Sequence, residues 1–130
     1  MKLSEEVKKL IEGKNFAHIA TLMKDGSPQV TTVWIDHDGD HILINTAEGR
    51  VKERNLRRDP RVALSITDAS NNYMGAWIRG KVVKMTTEGA EEHIDKMAKK
   101  YTGADKYKRY APNEKRVLLV IDAEHVTSRL

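Results

Sequence analysis

The sequence predicts a mainly β protein with peripheral helices, built as one closed, six-stranded antiparallel barrel. Three observations carry this. Six segments rich in β-branched and aromatic residues are joined mainly by short turns containing Gly, Asp, Asn or Pro. The longest segment carries Gly75 and Gly80, as expected where a strand bulges or another backbone comes close. Helical periodicity is confined to the N-terminus and to two connections. At 130 residues the chain reads as a single domain, 1–130, able to bury about two thirds of its unfolded surface without cross-links.

Leu3, Val7, Leu10 and Ile11 fall on one helical face, with Ser4 as N-cap, Glu5 and Glu6 in the first turn and Gly13 at the end. Phe16 to Leu22 is the first predicted strand, and the Asp25-Gly26 turn returns the chain. In the second, Gln29 to Ile35, strict alternation puts Val30, Thr32 and Trp34 on one face and Thr31, Val33 and Ile35 on the other. Asp36 to Asp40 reads as a turn and His41 to Asn45 as the third strand. A short basic helix begins at about Arg50, and Arg61 to Thr67 forms the fourth strand after Pro60. Tyr73 to Met85 is the fifth. Ala90, Ile94, Met97, Ala98 and Tyr101 mark a helix closed by Gly103. Arg116 to Ile121 is the sixth strand, with Val126 in a short extension.

Several chemistries are absent from the sequence. There is no cysteine, so disulfides, thiolate metal sites and a cysteine nucleophile are excluded. Neither phosphate-binding glycine motif occurs, and no serine lies in a nucleophile-elbow context. The Asp36 to His41 run lacks the glycine placement and terminal glutamate of a calcium loop. His18, His37, His41, His93 and His125 form no metal-ligand pattern, so no metal is expected. The charged N-terminus and the lack of a long apolar run predict a cytoplasmic protein with no membrane partner.

The stretch Arg50 to Arg61 holds six basic against two acidic residues, a local +4 that equals the formal net charge of the chain. Arg50 and Lys52 fall where a helix begins, a place that disfavours positive side chains but attracts anions. Two readings stand on spacing alone: an anion site or a solvated cationic face. Lys106-Tyr107-Lys108-Arg109-Tyr110 interleaves cations with rings, which suits a single-stranded nucleic acid, an anionic ligand tail or a solvated loop.

The order Asp25-Gly26-Ser27-Pro28-Gln29-Val30, Val33-Trp34, Arg50-x-Lys52-x-Arg54-Asn55-Leu56-x-Arg58-Asp59-Pro60-Arg61-Val62, Arg79-Gly80-x-Val82 and Arg116-Val117-Leu118-Leu119-x-Ile121 resembles the FMN-binding split β-barrels related to pyridoxamine 5′-phosphate oxidase. Within them it is most similar to the small oxidoreductases that use coenzyme F420. The resemblance implies a homodimer with two cofactor sites at the subunit interface, passing hydride between the cofactor, F420 or else FMN, and a small organic acceptor. It makes Lys52 the phosphate-binding lysine, with Arg50 beside it and Asn45 and Thr46 on the approach. Gln29, Thr31, Thr32, Val33 and Trp34 lie on the ring-lining strand, and Tyr73 and Trp77 on the strand that reaches across from the other subunit. True pyridoxamine phosphate oxidases place an arginine and a lysine on the ring-lining strand where this chain has Gln29 and Trp34. An oxidoreductase other than the vitamin B6 enzyme is therefore implied. The Lys106 to Arg109 loop would meet the glutamate tail of F420. A carrier or sensor without turnover is the alternative on the same barrel, and no nucleic-acid partner is implied.

Overall fold

The computed structural model describes residues 1–109 and 111–130. Tyr110, the last ring of the basic aromatic loop, lies outside the described residues. The elements run α1 (Glu5–Glu12), β1 (Ala17–Leu22), β2 (Pro28–Val33), β3 (Asp36–Asp38), β4 (His41–Ala47), α2 (Val51–Arg58), β5 (Arg61–Asp68), β6 (Asn71–Thr86), α3 (Ala90–Thr102) and β7 (Arg116–Arg129).

The protein is mainly β, antiparallel, with helices packed outside, as expected, but two details differ. The strands are seven, in the order β2-β1-β5-β6-β7-β4-β3, and the sheet is not closed. The additional strand is β3, inside the stretch expected to be a turn; Asp36, His37 and Asp38 pair with Leu43, Ile42 and His41. Three polar residues give too short a pattern to read as a strand, and its pairing is fixed by tertiary partners instead. The predicted short extension around Val126 is also part of one continuous β7, which pairs with β6 as far as Arg129.

β2 and β3 lie at opposite edges of the sheet, yet only Trp34 and Ile35 separate them in sequence. The three Cα–Cα steps from Val33 to Asp36 span at most about 11 Å. The sheet must therefore curl until its edges meet at this link, forming a barrel with a seam that no strand pairing closes. Side chains of α3 satisfy the seam backbone: Lys100 Nζ donates to the carbonyls of Ile11 (2.6 Å) and Ile35 (3.0 Å), and Ile35 N donates to the Tyr101 hydroxyl (3.2 Å).

The barrel interior is filled by Ile19, Ile35, Ile42, Ile44, Ile66, Leu119 and Ile121, each fully buried, and α1 closes one end with Val7 and Ile11. Ser4 caps α1 by accepting from Val7 N (3.2 Å). Gly80 stands at a register shift between β6 and β7, where any Cβ would overlap the Asp122 carbonyl oxygen. Gly75 is pressed in the same way against the Ile66 carbonyl. No helix among the described residues is long and apolar enough to cross a membrane.

Candidate functional site

α2 begins after the tight turn at Gly49, whose φ of 88° is a conformation that glycine adopts without strain. Arg50 is the N-cap and offers no capping hydrogen bond; Glu53 instead reaches back to the Gly49 N–H (2.8 Å). The helix is held to the end of β1 through Asn55 Nδ2, which donates to Thr21 Oγ1 (3.0 Å), and through Arg58, which donates to the Leu22 carbonyl (2.8 Å). Helical spacing then places Lys52 on the same face as Leu56. Both are buried, at 9% and 3% exposure.

A cleft of about 240 Å³ opens beside the seam. One wall is cationic, made by Arg50, Lys52 and Arg116 with Asn45 between strands and helix. The other is largely apolar and aromatic, made by Phe16, Thr32, Val33, Trp34, Ile94 and Tyr107. Trp34 stacks on Tyr101, which in turn meets the half-exposed ring of Phe16 at 5.5 Å, while Tyr107 meets Trp34 edge-on at 6.0 Å. Arg116 lies over the Tyr107 ring, 4.9 Å from its centroid.

The charges in this cleft do not balance. Glu114, which does not line the cleft, is shared by two of these cations: Oε1 accepts from Arg50 Nη2 (2.9 Å) and Oε2 faces Arg116 Nη1 (3.3 Å). Lys52 has no hydrogen-bond or ion-pair partner among the described residues. Three cations against one carboxylate leave an excess of +2. Burial, with the neighbouring charges of Arg50 and Arg116, pushes the Lys52 ammonium below its ordinary pKa. Burial also lowers Arg116, which Glu114 partly offsets. Such a site gains most from a bound anion carrying more than one negative charge.

Of the residues expected to hold a cofactor, the cleft brings together Thr32, Val33, Trp34, Asn45, Arg50 and Lys52. Thr46 is turned the other way, on the core face of β4 between buried neighbours, and its Oγ1 has no partner among the described residues. Thr31 Oγ1 is likewise buried and unpaired, and Gln29 Oε1 accepts from the Thr21 hydroxyl (3.3 Å). Neither lines the cleft. Tyr73 and Trp77 are 80% and 43% exposed on β6, away from it. Phe16, Ile94 and Arg116 also line the cleft without a site role in the sequence reading, and Tyr107 comes from the basic loop that the resemblance assigned only to an anionic tail. Tyr107 and Arg116 carried a signal, flanking a charged loop that returns to the barrel.

Three other arginines of the two basic stretches are engaged elsewhere. Arg57 pairs with Glu53, Arg61 with Asp59 (2.7 Å), and Arg109 with Glu91 and Asp95. In the Asp36 to His41 run, Asp36 meets His93 and Lys96, His37 meets Glu12, and Asp40 meets Leu3 N and Lys8. No group of three metal-ligating side chains gathers among the described residues.

The family model for pyridoxamine 5′-phosphate oxidase matches residues 3–129. Among solved structures, an F420 reductase superimposes with a TM-score of 0.82 at 28% identity, over 96% of this chain and 98% of that one. General Stress Protein 26 of Bacillus anthracis str. Sterne (TM-score 0.72, 13% identity, 95% and 91% covered) and HupZ of Group A Streptococcus (0.70, 21%, 97% and 93%) share the fold. With nearly the whole length matched and the barrel in agreement, the chain belongs to the pyridoxamine 5′-phosphate oxidase family.

Proposed function

We propose that the protein is an oxidoreductase that binds coenzyme F420, or failing that FMN, in the seam cleft and serves hydride transfer to a small organic acceptor. The observation that carries this is Lys52: a buried ammonium with no partner among the described residues, set between Arg50 and Arg116 in a cleft with excess positive charge. The residues fit the phosphate of either cofactor. Arg50 and Lys52 would hold it, while Thr32, Val33 and Trp34 would lie along the ring. When bound, the ring supplies the hydride chemistry; the protein supplies anchoring, orientation and a pocket that sheds water. The 28% identical F420 reductase supports the choice of F420.

The active species in this reading is a homodimer. Tyr73, Trp77 and Val30 (63% exposed) present apolar surface on the outer side of the sheet, and a second copy would bury it and bring Tyr73 and Trp77 toward its partner's cofactor.

One observation favours a second reading, a carrier or sensor without turnover: no carboxylate lines the cleft among the described residues, and the nearby Glu114 is already engaged by two arginines. Titration with F420 and FMN in parallel, followed by anaerobic reduction and a panel of acceptors, separates these readings. Tighter binding of F420 with repeated oxidation by an acceptor supports the proposal. Binding without multiple turnover favours the carrier, and binding of neither cofactor overturns both.

A further inference from the structure

A hydrogen-bonded chain runs from the seam into the cationic wall. Arg116 Nε donates to Asn45 Oδ1 (2.9 Å), Asn45 Nδ2 donates to the Ala90 carbonyl (2.8 Å) and lies 3.1 Å from His93 Nδ1, and His93 Nε2 lies 3.1 Å from Asp36 Oδ2. The two outer contacts of Asn45 fix its amide. An arginine nitrogen can only donate and a carbonyl oxygen can only accept, so Oδ1 must face Arg116 and Nδ2 must face Ala90 and His93. His93 Nδ1 must then be bare, and the ring proton sits on Nε2, directed at Asp36. Asp36 accepts a second bond from Lys96 Nζ (3.3 Å). His93 and Asp36 are both buried, at 8% exposure each, and His93 does not line the cleft.

We propose that His93, held by Asp36 as its Nε2–H tautomer, is a positioning residue for the anion site: its bare Nδ1 orients Asn45, and Asn45 fixes Arg116 as the third cation of the cleft. The inference rests on the anion-binding reading above. Arg116 is 3% exposed and lines the cleft beside Lys52. Its Nε is hydrogen-bonded to Asn45, while Nη1 lies 3.3 Å from Glu114 Oε2 as an ion pair without a hydrogen bond, so Asn45 supplies the directional contact that orients the guanidinium. A proton on His93 Nδ1 would set two donors face to face, and Asn45 could restore its bonds only by turning its oxygen away from Arg116.

The test uses ¹⁵N-labelled full-length protein and needs no ligand for its first readout. Long-range ring spectra should show His93 protonated at Nε2 only, and Arg116 Nε–H should give a slowly exchanging signal. Asn45→Asp keeps an acceptor for Arg116 but presents oxygen to His93 and should drive a proton onto Nδ1. His93→Asn retains an acceptor at the Nδ1 position and should preserve the Arg116 signal. His93→Gln retains only the Nε2-like donor and should lose it. Coenzyme F420 is the probe for the second readout, with affinity lowered about five- to tenfold in His93→Gln and within about twofold of wild type in His93→Asn. An Nδ1–H tautomer in the wild type, or an Arg116 signal equal in the Asn and Gln variants, overturns the inference. Failure of wild-type protein to bind F420 overturns the cofactor reading, while the spectra still decide the positioning of Arg116.

Discussion

The indole of Trp34 lies flat on the phenol ring of Tyr101, with centroids 5.2 Å apart and planes 5° from parallel. This stack stands where the two sheet edges meet, so the aromatic wall of the cleft and the closure of the barrel share one side chain. The Tyr101 hydroxyl accepts from Ile35 N and donates to the Asn15 carbonyl (2.7 Å). Tyr101→Phe keeps the ring but strands both backbone groups, and is expected to cost about 1–3 kcal/mol. Urea unfolding measures the loss, and Trp34 emission should change with it.

Lys52 is expected to trade stability for binding. Its folded-state pKa is depressed, so its charge is less favourable in the folded than in the unfolded chain, and the penalty persists at every pH where the ammonium is charged in both. Lys52→Met should raise the melting temperature of the ligand-free protein by roughly 2–5 °C. Calorimetry checks it, and a drop in melting temperature would mean that Lys52 has a structural partner.

Asp36 should give the protein an acid-sensitive step. Burial alone would raise its pKa, but hydrogen bonds from His93 and the His37 backbone, with the charge of Lys96, hold it at about 2. A depressed carboxyl stabilises the fold above its ordinary value of 3.8, and the contribution is lost as pH falls through about 2. The amount is on the order of 2 kcal/mol. Unfolding free energies between about pH 5 and pH 2 should fall more steeply for wild type than for Asp36→Asn.

Gly80→Ala is expected to destabilise by about 2 kcal/mol or more, because the added methyl meets a backbone carbonyl and no flexible side chain can give way. Denaturant midpoints test this, with Gly26→Ala, in an open turn, as the comparison for backbone strain without overlap.

Much of this was legible in the sequence because it depends on local rules. The Ser4 cap, the Gly103 stop and the alternation from Gln29 to Val33 each need only near neighbours, and each stands in the structure, although the strand ends at Val33 and Trp34 and Ile35 become the link to β3. Arg50 and Lys52 were visible through charge at a helix start. The missed parts are tertiary. β3 is too short and too polar to carry a pattern, and its Asp36 owes its place to His93, 57 positions away. The sheet stays open because β2 and β3 pair only inward, which no single strand reveals. Arg116 read as the start of a strand, since nothing near it in sequence shows that Asn45, 71 positions earlier, holds its Nε. Lys52 sharing a face with Leu56 was a stronger signal than the charge run itself, because a lysine on the apolar face of a short helix needs a reason.

The central claim is that Lys52 holds the anion of a cofactor in the seam cleft. Its most direct test is the dissociation constant of coenzyme F420, read by ring fluorescence, for wild type and Lys52→Ala under the same salt. The substitution is expected to weaken binding at least about tenfold, with the fold intact by circular dichroism. An unchanged constant in a folded variant would contradict the claim.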